Sequence, residues 1–448
     1  MMNRALWCLV LITCIPCTLS ATIDEAMPWL TQTDSKAAAG ACAGARDTAS
    51  AAWWGFDNED ATDCLQHAID SGAPKIVVPF MGTPWVIRPV TLRGNLELEL
   101  EPGVVILAKK EAFKGKGDSL FSASDCENIT LRGYNAHMRM RKADYQGSGY
   151  EKAEWRMALD FAGCTNLHIE GLTLESSGGD GIYIGATEKQ PFCKDVLIRD
   201  VACLNHHRQG ISVISAVNLL IENCVLSGTR GTAPQAGIDL EPNRENEKLV
   251  NVVVRNCTMA GNNGSGILVY LKPMRAATEP VSILFENCHV RSGRDQGIAV
   301  GAVGDDGPAG LIEFRNCTVE NTRNGGAFVY DKSATAAEVR FVNCKWRNVA
   351  VKHKKATPLL ITLMRDSITK KHGGIFFENC VVYDTLDRPV LKTEEDKGEK
   401  GARHIRGAIL REGPGNARAA LSPESTDCLL ELHSLTSRTK DDTSPTLK

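Results

Sequence analysis

Along most of the chain one arrangement of apolar and polar positions keeps returning: a glycine, then apolar residues at every second place with variable residues between them. It reads GIYIG from Gly181, GISVI from Gly210, GIDLE from Gly237, GILVY from Gly266, GIAVG from Gly297 and GAFVY from Gly326. The step is about 29 residues, and a fixed period of this size marks a repeat architecture. Alternation with period two predicts strands with one face inside and one outside. A second strand pattern precedes each of these, as NLHIEGLTL from Asn166, NLLIENC from Asn218, NVVVRNC from Asn251, ILFENC from Ile283 and IFFENC from Ile375. No helical period intervenes, so the expectation is an all-β solenoid.

The front of the chain differs. Residues 22 to about 55 are rich in Ala, Ser and Thr and read as a loosely ordered lead-in. A short helix is predicted after Asn58 or Asp60, with Ala61, Cys64 or Leu65, Ala68 and Ile69 on one face and Gly72 at its end. A helix placed there is expected to cap the first rung, whose backbone edge would otherwise be open. The divisions expected are a signal peptide over 1–21, lead-in and cap over 22–90, the solenoid over 91–390, and closing strands with a disordered tail over 391–448.

The N-terminus supports export. Arg4, an apolar run from Ala5 to Ile15 and small residues from Thr18 to Ala21 resemble a secretory signal, with cleavage near Ser20 or Ala21. The run is shorter than the roughly 20 residues a membrane span needs. A lipid anchor at Cys14 is a minor alternative. A secreted or periplasmic monomer without an integral membrane segment is expected. The net charge of −3 speaks against a nucleic-acid partner, which calls for a basic excess.

Of the 16 cysteines, 13 lie beyond the signal, a number that would ordinarily suggest disulfides in an exported chain. Their spacing says otherwise. Cys224, Cys257, Cys288, Cys317, Cys344 and Cys380 each follow Asn, once per repeat, and should stack as an internal column of compact apolar groups. The preceding asparagines should form a ladder at a turn. Cys42, Cys64 and Cys428 remain open as a pairing, and without a CxxC beyond the signal no zinc site is expected.

Candidate chemistry gathers on three consecutive repeats. If Ile238 and Leu240 face the core, Asp239 and Glu241 share the opposite face, about 6.5 to 7 Å apart at their Cα atoms. Asp180 stands at the turn two repeats earlier, and His206, His207, Arg208 and Gln209 at the turn between. The catalytic candidates are therefore Asp239, Glu241 and Asp180, with Glu241 as acid, Asp239 as base and Asp180 as a rival base. A carboxylate pair of this kind suits glycosidic hydrolysis, one group donating a proton to the leaving oxygen while the other activates water or attacks carbon. Tyr183, Tyr270 and Tyr330 offer flat faces for sugars, and His206, His207, Arg208, Gln209, Asn243 and Lys272 complete the expected binding surface.

The repeats resemble the right-handed parallel β-helix of the pectin lyase superfamily. The stretch FDNEDATDCLQHAID from Phe56, with GAPKIVVP and VTLRGNLELELEPGVVILA after it, is similar to the start of family 28 glycoside hydrolases and their relatives. The likeness spans about Phe56 to Thr385. It implies the fold and an activity on polysaccharide, with an anionic substrate suggested by Arg208, Arg244, Lys272 and Arg275. The family 28 signatures themselves are missing: GGDG stands at Gly178–Gly181, RQG follows at Arg208–Gly210, and no GHG or RIK occurs. No resident cofactor or metal is expected for hydrolysis. A second mechanism, β-elimination or epimerisation of a uronate, would take its base from His206, His207, Arg208 or Lys272 and hold Ca²⁺ on Asp180, Asp239 and Glu241. A third reading is a carbohydrate-binding solenoid without catalysis.

Overall fold

The computed structural model describes residues 28–352, 356–364, 371–395 and 401–435. The expected signal segment with Cys14 and the tail from 436 onward lie outside the described residues. Within them the chain is a right-handed parallel β-helix, and the sequence repeats are its coils.

Strands of successive coils pair in parallel with little slippage of register. One column of inward residues runs Leu167, Val196, Leu219, Val252, Ile283, Ile312, Val339, Ile375 and Ile405. Another runs Ile182, Ile211, Ile238, Ile267, Ile298, Ala327, Leu359 and Leu391, on the twelve-stranded sheet that carries the Gly-Ile repeats. Like therefore stacks on like. Phe285, Phe314, Phe341 and Phe377 form a ring stack with centroids 5.0–5.4 Å apart, a spacing set by the ~4.8 Å between parallel strands.

The cysteine column forms as expected. Cys224, Cys257, Cys288, Cys317, Cys344 and Cys380 are each 1% exposed, and their thiols point at backbone carbonyl oxygens of the coil. All 13 cysteines described carry free thiols, Cys42, Cys64 and Cys428 among them. The asparagine ladder forms too: Asn287, Asn316 and Asn343 each donate through Nδ2 to the Oδ1 one coil back, at 3.1–3.2 Å. Each sits at φ near +53°, a left-handed turn that Asn tolerates better than most residues. Asn223 departs from the series and donates to Asp200 instead.

The capping helix is Thr62–Asp70, with Cys64, Leu65, Ala68 and Ile69 buried. Asp60 receives the Thr62 amide at 3.1 Å, and Gly72 follows at φ +88°. Its polar face closes strand edges. The Gln66 amide donates to the Thr91 carbonyl and accepts from the Thr91 N–H, both at 3.0 Å, so a side chain stands where a preceding strand would pair.

From Pro28 onward the lead-in is ordered, contrary to the expectation. Ser35–Cys42 is a helix capped by Asp34, and Ala51–Trp54 is a 3₁₀ turn. Alanines 37, 38, 41, 49, 51 and 52 are buried around Trp53, whose ring lies 5.6 Å from that of Trp29. Small side chains permit close approach here, and two tryptophans supply the apolar area that the alanines lack. Parallel pairing already begins at Thr48–Ser50 and ends with Leu429–Leu435, so the ladder reaches beyond 91–390 at both ends.

Candidate active site

The Gly-Ile sheet sets the site. Its outward column runs Ser122, Asp160, Tyr183, Ser212, Asp239, Leu268, Ala299 and Phe328. The glycine opening each strand is required by the stacking. A Cβ on Gly181, Gly210 or Gly237 would come within 2.4–2.7 Å of a carbonyl oxygen of the next coil.

Asp239 points away from Ile238 and Leu240 as alternation demands, yet it is 1% exposed. Gln209 explains part of this cover. Its Nε2 donates to Asp239 Oδ2 at 2.7 Å, while its Oε1 accepts from the Ala236 N–H at 2.7 Å. Gln209 is itself fully buried, so it orients the carboxyl and does not meet a ligand. Burial and the adjacent Glu241 carboxyl, within hydrogen-bonding reach, hold Asp239 well above the ordinary carboxylate range, with Arg208 opposing. Two carboxyls this close cannot both ionise cheaply. Glu241 is the more open member, its side chain 28% exposed.

Arg208 is the hub. Its Nη2 lies 3.2 Å from Glu241 Oε2, its Nη1 3.9 Å from Asp180 Oδ2 and its Nε 3.8 Å from Glu154 Oε1. Asp180 is fully buried, and burial pushes its carboxyl up to about 7 against the pull of Arg208. Asp180, Arg208, Asp239 and Glu241 thus form one cluster, as their spacing suggested.

Other expected contacts fall elsewhere. His206 is fully buried, with Nδ1 2.8 Å from Ser177 Oγ. Burial and nearby Lys142 depress its imidazolium to about 3, so it is a neutral turn residue with no surface left for substrate. His207 is 7% exposed and bonds Thr232 Oγ1 at 3.0 Å. Tyr183 lies half-buried over Gly185, where a Cβ would stand 2.2 Å from its ring. Asn243 and Lys272 are exposed at turns beyond the strands, and Tyr270 is half-buried one coil past Glu241. Tyr330 stacks on Phe328 at 4.9 Å, two coils further on. That is about 14 Å from the acids along the axis.

Two acids and an aromatic were not foreseen. Glu154 and the half-exposed Trp155 sit in a segment, 140–158, that interrupts the repeat, so no column could be read there. They border a cavity of about 630 Å³ that also touches Tyr145, Tyr150, Lys152 and His207. Asp160 stands in the Asp239 column on the strand Leu159–Ala162. Its motif LDFA follows Ala158 instead of Gly, which hid it, although aligning LDFA under GIYIG would have shown the coil. Burial raises the Asp160 carboxyl, countered by the hydroxyl of Ser119 at 3.1 Å.

The acids proposed for Ca²⁺ do not fit that role. Asp180 and Glu241 face the guanidinium of Arg208, a fixed cation that repels a second one. Among the described residues no three His, Cys, Asp or Glu side chains are placed to hold a metal ion.

These features define the class: a right-handed parallel β-helix with an acid cluster on one outer face. Residues 154–276 match the family model described as "Right handed beta helix region". Among curated proteins, the chain is 29% identical over 161 residues to the "Uncharacterized protein YclG" of Bacillus subtilis, 34% of this chain and 27% of that protein. It is 26% identical over 168 residues to an SPbeta prophage-derived protein, YorA, of the same organism, 35% and 28% of the two chains. The matched region thus spans about a quarter of these relatives' length. Among solved structures, the A-module of mannuronan C-5 epimerase AlgE6 from Azotobacter vinelandii superposes with TM-score 0.64 at 13% identity, covering 87% of this chain and 99% of that one. A family 28 exopolygalacturonase from Yersinia enterocolitica superposes with TM-score 0.55 at 14% identity, covering 89% and 79%. At such identities the likeness is one of fold.

Proposed function

We propose that the protein is an exported enzyme that cleaves glycosidic bonds of a polysaccharide at the cluster around Arg208. The observation that carries this reading is the Asp239–Glu241 dyad. A buried carboxyl held against a partly exposed one is costly to keep unless it works. In this mechanism Glu241 meets the glycosidic oxygen and gives it the proton that the dyad holds, while Asp239, fixed by Gln209, keeps that proton available. Arg208 steadies Glu241 after the proton has left. The opposing carboxylate, which activates water, comes from Glu154 on the other side of the guanidinium, since Asp180 is fully buried and has no surface for water to reach. Trp155, Tyr183 and Tyr270 supply stacking faces for sugar rings. The fold shared with a family 28 exopolygalacturonase supports a polysaccharide substrate.

The test is digestion of neutral, uronic and sulfated polysaccharides, following reducing ends. Glu241→Gln should lower turnover by about 10²- to 10⁴-fold, the worth of a positioned acid, with the thermal midpoint unchanged within a few degrees. Asp239→Asn should act similarly, since Gln209 can still donate to the new amide oxygen. Full activity in both variants would remove the dyad from the reaction.

The likeness to a mannuronan C-5 epimerase module supports a second reading, abstraction of the C5 proton of a uronate with Arg208 facing its carboxylate. New ultraviolet absorbance, or inverted uronate signals by NMR without new reducing ends, would replace hydrolysis by this chemistry. Binding without turnover on every substrate would leave a carbohydrate-binding solenoid.

A further inference from the structure

Beside the His207 turn lies a second cavity of about 550 Å³, bordered by Arg141, Lys142, Asp144, His207 and Arg230 and not by Trp155. Three fixed cations face one acid there. Their hydrogen-bonding states differ in a telling way. The Lys142 ammonium spends itself on the Asn205 carbonyl and side-chain oxygens, both at 3.1 Å, and on the His206 carbonyl at 2.9 Å. It therefore contributes charge and holds the wall. Among the described residues the Arg141 side chain uses only its Nε, on the Ala108 carbonyl at 2.7 Å. The Arg230 guanidinium is exposed and makes no hydrogen bond or ion pair with any described residue. Burial together with this arginine lowers the Lys142 ammonium to about 8, as like charges without a counter-ion do.

We propose that this cavity is a subsite for an oxyanion carried on a sugar, a uronate carboxylate or a sulfate ester, gripped by the guanidinium forks of Arg141 and Arg230. An arginine fork matches the two oxygens of such a group. His207 borders both cavities, and its buried Nδ1 has no partner among the described residues. A chain lying across the turn would thus reach from this cavity past His207 to Trp155 and Glu154. The proposal rests on the reading of the protein as polysaccharide-active and adds that its substrate is anionic.

Binding of oligogalacturonate, of sulfated carrageenan oligosaccharide and of neutral cello-oligosaccharide to the full chain, followed by isothermal titration at low salt, tests it. The expected result is binding of one anionic probe and none of the neutral one. Which of the two binds tells carboxylate from sulfate. Arg230→Ala should weaken that binding at least tenfold, and Arg230→Lys should restore part of it. Arg230 lies on the surface, so folding is not at stake. Unchanged affinity in Arg230→Ala, preference for the neutral probe, or no binding at all would overturn the subsite. If Arg230→Ala loses binding while no bound glycan is ever turned over, the subsite stands and the catalytic reading falls. If turnover persists unchanged in Arg230→Ala, the reverse holds.

Discussion

Asp180 shows how much one buried carboxyl can say about the site. Its carboxyl has no exposed surface, and burial lifts it to about 7. Between its unfolded value and that point the native state holds a proton that the unfolded chain has lost. The contribution of this group to stability is therefore full below about pH 4 and disappears as pH rises through about 7, amounting to about 4 kcal/mol. Asp180→Asn should flatten that decline, so that wild type and variant differ most at pH 8 in urea denaturation. A difference that stays constant from pH 4 to pH 8 would show that Asp180 is ionised throughout. Asp239, held up for similar reasons, should leave a remaining slope in the variant.

At the level of the coil, turn chemistry and strand pairing are joined in the asparagine ladder. Asn316 adopts φ +53°, donates to Asn287 at 3.1 Å and accepts from Asn343 at 3.1 Å. Asn316→Gly keeps the left-handed turn and loses the ladder, whereas Asn316→Ala loses both. The alanine variant should be less stable by about 2 kcal/mol and the glycine variant by about 1 kcal/mol, read as shifts in denaturation midpoint. Equal losses would mean that only the hydrogen bonds matter. The glycines of the Gly-Ile strands serve a different need, close approach between coils. That is why the period was so plain in the chain.

For the molecule as a whole, the weak point of a solenoid is its ends, where a rung offers unpaired backbone to other chains. The helix Thr62–Asp70 answers this at one end, anchored by the fully buried Leu65 and closing Thr91 with Gln66. Leu65→Glu should detach it. The expected outcome is concentration-dependent association by light scattering, with circular dichroism retaining its strand signal. A monomeric, stable variant would show that the helix is dispensable as a cap.

Local rules carried the solenoid. Strand alternation, glycine at tight stacking points and a repeated NC pair act within one coil, and identical coils stack like on like, so the inward columns, the cysteine column and the Asp239 column could be read from the chain. The same alternation put Asp239 and Glu241 on one face. It could not tell that Asp239 is covered, because the cover comes from Gln209, 30 residues earlier. Glu154 reaches Arg208 from an irregular segment that obeys no period, and His206 turns inward although its neighbour Arg208 turns toward the acids. The ordered lead-in was hidden because its alanines gain their burial only from tryptophans brought together by folding. Alternation and period are properties of neighbours in the chain; burial and charge pairing depend on what distant segments bring, and only packing decides them.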